Sequence, residues 1–429
     1  MTDSIHAAAA RGFTDGADAY ERSRPTYPPD AVAQIADLLG LAPGRTLLEL
    51  GAGTGKLTRL LAPSGARILA VEPLEAMRAK LVAKLVAIVP AAELVDGTAE
   101  NIALPNASVD AVVVAQAFHW FDAIRALSEI HRVLRPGGRL VLVFNKRDEG
   151  VPWVHGLGEA IRRIASDEPQ VWGNAWHDAL GRCALFGPWE SAHVRHVQRL
   201  TPDGVLDRIA SVSYVAAAMP EVRAGVLGEV RALLASDPLT TGAAEVELPY
   251  STEVLWAERA SIEPGAVGIV ATVNANAGGV PKPPVDGATV GRLGLHNDAH
   301  LEPEPIHGGP DQAVCLYPQE AVERVRADGH QAFPGAFGEN LTLLGIEWAG
   351  LSPGDRLTIG DGEAALELEL TTYATPCQSL AHWFIERRIA RVSGKVAPQD
   401  ARWYARVLRV GDVRPGMPVR LVRALPLAH

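Results

Sequence analysis

Cysteine is scarce. Only Cys183, Cys315 and Cys377 occur in 429 residues, and no two of them form a CxxC pair. That excludes a disulfide framework and zinc-ribbon spacing, and it leads us to expect a reducing, cytoplasmic setting. Long apolar runs are missing too: Leu81–Pro90 is interrupted by Lys84 and is too short to cross a bilayer, so no membrane role is expected. The N-terminal stretch lacks a basic segment followed by an apolar one, so no secretory signal is expected. Basic residues are not in excess either. Forty Lys and Arg stand against 50 Asp and Glu, a formal net charge of −10 that disfavours nucleic acid as a partner.

What is present is ordinary globular material, with 48% hydrophobic and 21% charged residues. The length allows two to four domains at roughly 100–200 residues each. Between Arg45 and Phe144, short β-rich runs alternate with helical stretches. Thr46–Leu50, Arg67–Val71, Glu93–Val95, Asp110–Val114 and Arg139–Phe144 read as strands, and Pro73–Val89 and Asp122–Leu134 as helices. Arg135-Pro136-Gly137-Gly138 reads as a stop and turn. Such alternation predicts an α/β, Rossmann-like, doubly wound and mostly parallel sheet. Helices are expected at Pro202–Ala217 and Pro220–Ala235, and strands at Val194–Leu200 and Glu245–Glu258. Ser261–Ala266 reads as a linker, dividing a domain of residues 1–260 from one of 266–429. Past it, Gly and Pro breaks between short strands predict a β-rich second domain, with helices near Pro318–Ala327 and Ser379–Val392.

The segment Leu47-Leu48-Glu49-Leu50-Gly51-Ala52-Gly53-Thr54-Gly55-Lys56-Leu57 is an apolar strand running into a glycine turn and then a helix. Alternate glycines let the backbone approach a ligand at the carboxyl end of a strand. The spacing is not that of the dinucleotide fingerprint, which spreads its three glycines further. Glu49 inside the turn would repel a pyrophosphate, whereas the amino-acid end of a cationic sulfonium tolerates it. Glu72, ending the second strand, is placed to accept both hydroxyls of a ribose. The loop Asp96-Gly97-Thr98-Ala99-Glu100 follows the third strand and can clamp an adenine edge.

Together with Ala103-Leu104-Pro105, Asp110, Ala115–Phe121 and Leu134–Gly138, these residues resemble a class I methyltransferase of the type 11 kind that uses S-adenosylmethionine. The resemblance spans residues 10 to about 258. It implies that Glu49, Gly51, Ala52, Gly53, Thr54 and Gly55 hold the methionine part, Glu72 the ribose, and Thr98 with Ala99 the adenine. Thr98 stands where many relatives carry aspartate. Gln116 and the residues after it should face the methyl on its way to a small-molecule acceptor. His119 can deprotonate that acceptor or orient a carboxylate, or it can simply pack the loop with Trp120. Tyr20, Arg24 and Tyr27 lie in an arm that relatives fold over the cofactor.

The second half groups Asp298, then His307-Gly308-Gly309-Pro310-Asp311, then Phe337-Gly338-Glu339-Asn340, and finally Thr375-Pro376-Cys377. Polar side chains beside flexible backbone suit an oxyanion or an oxo-metal centre. A cysteine after proline and before a helix gains thiolate character, which makes Cys377 a candidate nucleophile or metal ligand; a buried structural thiol is the alternative. From 266 to about 423 the set resembles the MOSC domain. The resemblance implies a β-rich, barrel-like fold, molybdenum-cofactor binding or sulfur or electron transfer at Cys377, and an electron or sulfur donor protein as partner. Molybdenum ion and pyridoxal phosphate binding are expected on the same ground. Asp298, His307, Gly308, Gly309, Asp311, Glu339 and Asn340 would line the pocket. Tyr373 and Ala374 replace the Pro-Arg pair common in that family.

Overall fold

In a computed structural model, the residues described are 23–88, 92–164, 175–260, 266–299 and 308–424. Tyr20, His307 and most of the expected linker lie outside them. Contacts divide the chain into two compact units, one drawn from Met1–Asp122, Val133–Gly173 and Pro188–Glu258, the other from Ala123–Arg132, Asn174–Gly187 and Arg259–His429.

The first unit is built on a seven-stranded sheet. Its order is Ala92–Leu94, Arg67–Val71, Thr46–Leu50, Val109–Ala115, Leu134–Arg147, Val246–Glu258, Glu190–Leu200. The first five strands run parallel, and the last two are antiparallel. Central strands of a parallel sheet are covered on both faces and so must be apolar throughout. Val109–Ala115 has six of its seven residues buried and is apolar except for Asp110 near its start, whose charge Arg45 and Arg135 answer. The expected stop at Arg135–Gly138 is not a chain reversal. Gly137 takes φ 75 there, and pairing with Val109–Ala115 shifts register before resuming at Arg139. The strand then continues to Arg147, three residues beyond the expected end.

Over the carboxyl ends of these strands sits a second apolar cluster. It joins Trp153, Leu157, Val205, Ile209, Val230 and Tyr250 from helices Pro152–Arg162, Pro202–Ala210 and Pro220–Ser236 and the last strand pair. The single helix expected over Pro202–Ala217 is two, Pro202–Ala210 and Ser213–Ala217, because Val212 takes an extended conformation between them.

The second unit is a closed barrel. Its seven strands run Gly268–Asn274, Leu341–Leu344, Val314–Pro318, Trp403–Arg409, Leu366–Tyr373, Arg356–Ile359 and Pro418–Val422, which pairs back with Gly268–Asn274. Inward residues alternate with outward ones, as closure requires: in Leu366–Tyr373, Leu366, Leu368 and Leu370 are buried while Glu367 and Glu369 are not. They pack with Val270, Leu343 and Trp403 in one core. The helix expected at Ser379–Val392 is absent. Three short 3-10 turns stand there, Gln378–Trp383, Ile385–Arg387 and Ile389–Val392, because Glu386 and Arg387 adopt positive φ and break the repeat.

Candidate functional sites

The glycine turn lies at the carboxyl end of the central strand Thr46–Leu50. Gly51 and Gly53 have φ of 66 and 58, conformations that favour glycine. A Cβ on Gly51 would stand 2.6 Å from Ala117 Cβ, so the turn can pass the Ala117 loop only without a side chain. A Cβ on Gly53 would meet nothing within 4 Å; it would project into open space over the turn. Glu72 braces this turn, accepting Gly53 N–H at 2.7 Å on one oxygen and Leu74 N–H at 2.9 Å on the other. A carboxylate has about four acceptor sites, so both hydroxyls of a ribose can still be accommodated.

Glu49 is buried and accepts the Thr58 hydroxyl at 2.6 Å. Burial pushes its carboxyl up to about 7; the Thr58 bond pulls the other way, and the Glu72 charge adds to the rise. A cation placed at this turn would relieve that tension. Arg24, Pro25 and Tyr27 close the same cleft, and Lys56 Nζ donates to the Arg24 carbonyl at 2.9 Å, fixing the arm to the turn. The residues therefore fit a sulfonium cofactor: a buried acidic group, a glycine cradle and a covering arm. Thr98 and Ala99 sit in a two-strand hairpin beside the sheet, Gly97–Thr98 with Asn101–Ile102. Neither lines the cleft next to the turn. Asp110, part of the same sequence pattern, serves the opposite end of the sheet. Burial raises its pKa, but Thr46 N–H, Arg135 and Arg45 outweigh that and hold it below the usual range.

A cavity of about 320 Å³ adjoins the cleft and shares Arg24, Gln116, Asn145 and Arg208 with it. Gln116, immediately after Val109–Ala115, takes φ 58, a conformation unusual for a side-chain-bearing residue. His119 and Trp120 line this cavity with Val212 and Tyr214. His119 is buried and its pKa falls to about 3, through desolvation first and the Arg24 charge second. It is therefore a neutral imidazole at physiological pH and a weak base, better suited to hydrogen bonding than to proton abstraction. The sequence reading missed Arg147 and Arg208. The available signal was a charged residue on the buried side of an amphipathic helix, since Arg208 is buried with Val205, Leu206 and Ile209.

Two networks appear in the barrel unit. Asp298 accepts from Lys282 Nζ at 2.5 Å, Asn340 Nδ2 at 2.9 Å and Asn276 N–H at 3.0 Å. Asn340 Oδ1 accepts Cys315 N–H at 3.0 Å. Glu339 is wholly buried and accepts Gly335 N–H at 2.6 Å, Phe337 N–H at 3.2 Å and the Thr342 hydroxyl at 3.2 Å, so it folds its own loop. Arg402 joins the pieces. It is buried, donates to the carbonyls of Phe337 and Thr375, and lies among Cys315, Tyr404, Glu339 and Cys377. It supplies a guanidinium near the position of the missing Pro-Arg pair.

Cys377 is half-buried, 2.7 Å from Ser379 Oγ, and packs against the apolar cluster that holds Tyr317 and Phe337. The helix expected to favour its thiolate is only a six-residue 3-10 turn, so the dipole is small. Gly308 and Gly309 lead into Pro310–Gln312. Asp311 does not join either network: it is exposed and pairs with Arg406 at 3.2 Å. Among the described residues no three His, Cys, Asp or Glu side chains are grouped to hold a metal ion. No described helix is long and apolar enough to cross a membrane.

Comparison with known proteins agrees with both halves. Residues 48–142 match the family model described as a methyltransferase domain. An uncharacterized methyltransferase of Mycobacterium bovis is 43% identical over 240 residues, covering 56% of this chain and 92% of that protein. The chain belongs to the methyltransferase family. An uncharacterized methyltransferase-like protein of Schizosaccharomyces pombe is 32% identical over 251 residues, 57% of this chain and 94% of its own. Residues 303–420 match the MOSC domain model. Protein YiiM of Escherichia coli is 33% identical over 137 residues, 30% of this chain and 57% of that protein. A class I methyltransferase dependent on S-adenosylmethionine is thus fused to a MOSC domain.

Proposed function

We propose that the methyltransferase domain methylates a small molecule seated in the 320 Å³ cavity. The observation that carries this is the continuity between the glycine-turn cleft and the cavity, through Gln116, Asn145 and Arg208. When bound, S-adenosylmethionine supplies an electrophilic methyl group for in-line displacement. The chain's own part is to bind, orient and exclude water. Glu49 and the Gly51–Gly55 turn bind the methionine end, and Glu72 holds the turn in shape while offering acceptors to a ribose. Trp120 and Tyr214, with ring centroids 6.0 Å apart, wall the acceptor off from solvent. Neutral His119 offers a ring nitrogen to the acceptor, and its Nδ1 has no hydrogen-bond partner among the described residues. Calorimetric titration of the full chain with S-adenosylmethionine tests the reading. Binding by the native protein and its loss in Gly53→Val, whose side chain would fill the open space over the turn, is the expected result. No binding by the native protein would refute it.

For the MOSC domain we infer a role centred on the Cys377 thiol, in sulfur or electron transfer with a donor protein. Cys377 is the least buried of the three cysteines, and Arg402 places a buried positive charge near it. One thiolate suits a molybdenum group that brings its remaining ligands with it, and does not suit a bare ion. Slower alkylation of Cys377 in the presence of molybdenum cofactor supports that form of the role. Alkylation that the cofactor leaves unchanged removes the molybdenum role and leaves a sulfur carrier or a purely structural MOSC module.

A further inference from the structure

The acceptor cavity carries a marked excess of positive charge. Lys146 and Arg162 line it with their charges answered: Lys146 pairs with Glu253 at 2.6 Å, and Arg162 with Glu149 at 2.8 Å and Glu159 at 2.7 Å. Arg147 and Arg208 are different. Arg208 is 4% exposed, donates Nε–H to the Tyr250 hydroxyl at 3.0 Å, and has no partner for Nη1 among the described residues. Arg147 Nε is likewise unpartnered. No carboxylate lies within ion-pair distance of either guanidinium among the described residues.

Desolvating a guanidinium is costly unless an anion and hydrogen bonds compensate, and two like charges sharing one cavity add to the cost. Burial first and the neighbouring Arg208 charge second pull the Arg147 pKa down, outweighing Tyr250 and Glu149, whose carboxylate lines the cavity but pairs with Arg162. A planar fork of donors matches a carboxylate or phosphate. Val212, Trp120 and Tyr214 give the wall an apolar side, and Gln116, His119, Asn145 and Ser213 a polar one, which suits a compact organic body that carries polar groups of its own.

Resting on the methyltransferase reading above, we propose that the acceptor is an organic acid whose anionic head is held by Arg147 and Arg208. Arg208 also borders the cofactor cleft, whereas Arg147 lines the acceptor cavity alone of the two. Arg147 therefore separates this proposal from the rival in which the cofactor's own carboxylate is the bound anion.

The test uses the full-length protein with and without saturating S-adenosylhomocysteine. Calorimetry follows malonate, benzoate and inorganic phosphate, with malonamide and benzamide as uncharged counterparts, and S-adenosylmethionine is titrated separately into every sample. The expected result is binding of at least one anion in preference to the amides. Arg147→Met should weaken that anion at least about tenfold while leaving S-adenosylmethionine affinity unchanged. Arg147→Lys should restore part of the loss, which controls for a folding defect, and Arg208→Met should weaken the same anion. Binding of amides and acids alike, or of neither, overturns the proposal. So does an equal loss of S-adenosylmethionine affinity in Arg147→Met. Failure of S-adenosylmethionine to bind the native protein refutes the methyltransferase reading instead, a separate outcome.

Discussion

At the scale of single residues, Glu49 and Cys377 are the most informative. The Glu49 carboxyl is raised from its ordinary 4.5 to about 7, so between those values the folded protein keeps a proton that the unfolded chain has released. Its contribution to stability is complete below about pH 4.5 and is lost as pH rises through 7. Glu49→Gln should flatten this part of the stability–pH curve, measured by urea unfolding of the cofactor-free protein. A cation bound at the turn favours the carboxylate, so S-adenosylmethionine binding near pH 7 should release a proton from the native protein and none from Glu49→Gln. Calorimetry in buffers of different ionisation enthalpy reads that proton directly. Among the thiols, burial pushes Cys183 up to about 12 and raises Cys315 as well. Iodoacetamide near pH 7 should therefore label Cys377 first in the folded protein, as read by peptide mass spectrometry. Equal labelling of all three would mean that Cys377 has no privileged access.

At the scale of elements, helix Pro202–Ala210 links sequence to site. Thr201 caps it, its hydroxyl accepting Gly204 N–H at 3.1 Å, and Pro202 occupies the first turn. The cap fixes where the helix starts, and hence where Arg208 enters the cavity. Thr201→Ala should cost about 1 kcal/mol of stability, checked by denaturant unfolding, and should raise the acceptor KM more than the S-adenosylmethionine KM. An equal change in both constants would place the helix start outside acceptor binding.

At the scale of the whole molecule, the barrel closes around an apolar interior. Leu368 is wholly buried among Leu357, Trp403 and Val419. Leu368→Ala should cost about 2–5 kcal/mol, because a close-packed interior relaxes only partly around the lost volume. Urea unfolding followed by Trp fluorescence would show it, and a loss below about 1 kcal/mol would mean that the interior repacks freely.

The sequence by itself determined the elements whose signal is local. The apolar run of Ala111–Val114 and the glycine pattern at Gly51–Gly55 each depend on neighbours a few residues away, and each was legible; past the linker only a β-rich texture was, and the alternation of Leu366–Tyr373 came with the structure. The positions of Glu49, Glu72 and Gln116 at strand ends were legible for the same reason, and Glu49 and Gln116 line the cleft while Glu72 braces the turn from behind it. Tertiary structure alone decided which charges are left unanswered. Arg147 and Arg208 look like other arginines in the chain until the fold sets them beside one cavity, Arg208 buried and Arg147 partly so, with no carboxylate in ion-pair contact with either among the described residues. Glu339 and Asp311 show the converse, for the fold turns one inward to brace its own loop and pairs the other with Arg406 at the surface. Local pattern fixes backbone geometry, whereas the charge state and chemical use of a side chain depend on desolvation and on partners distant in sequence.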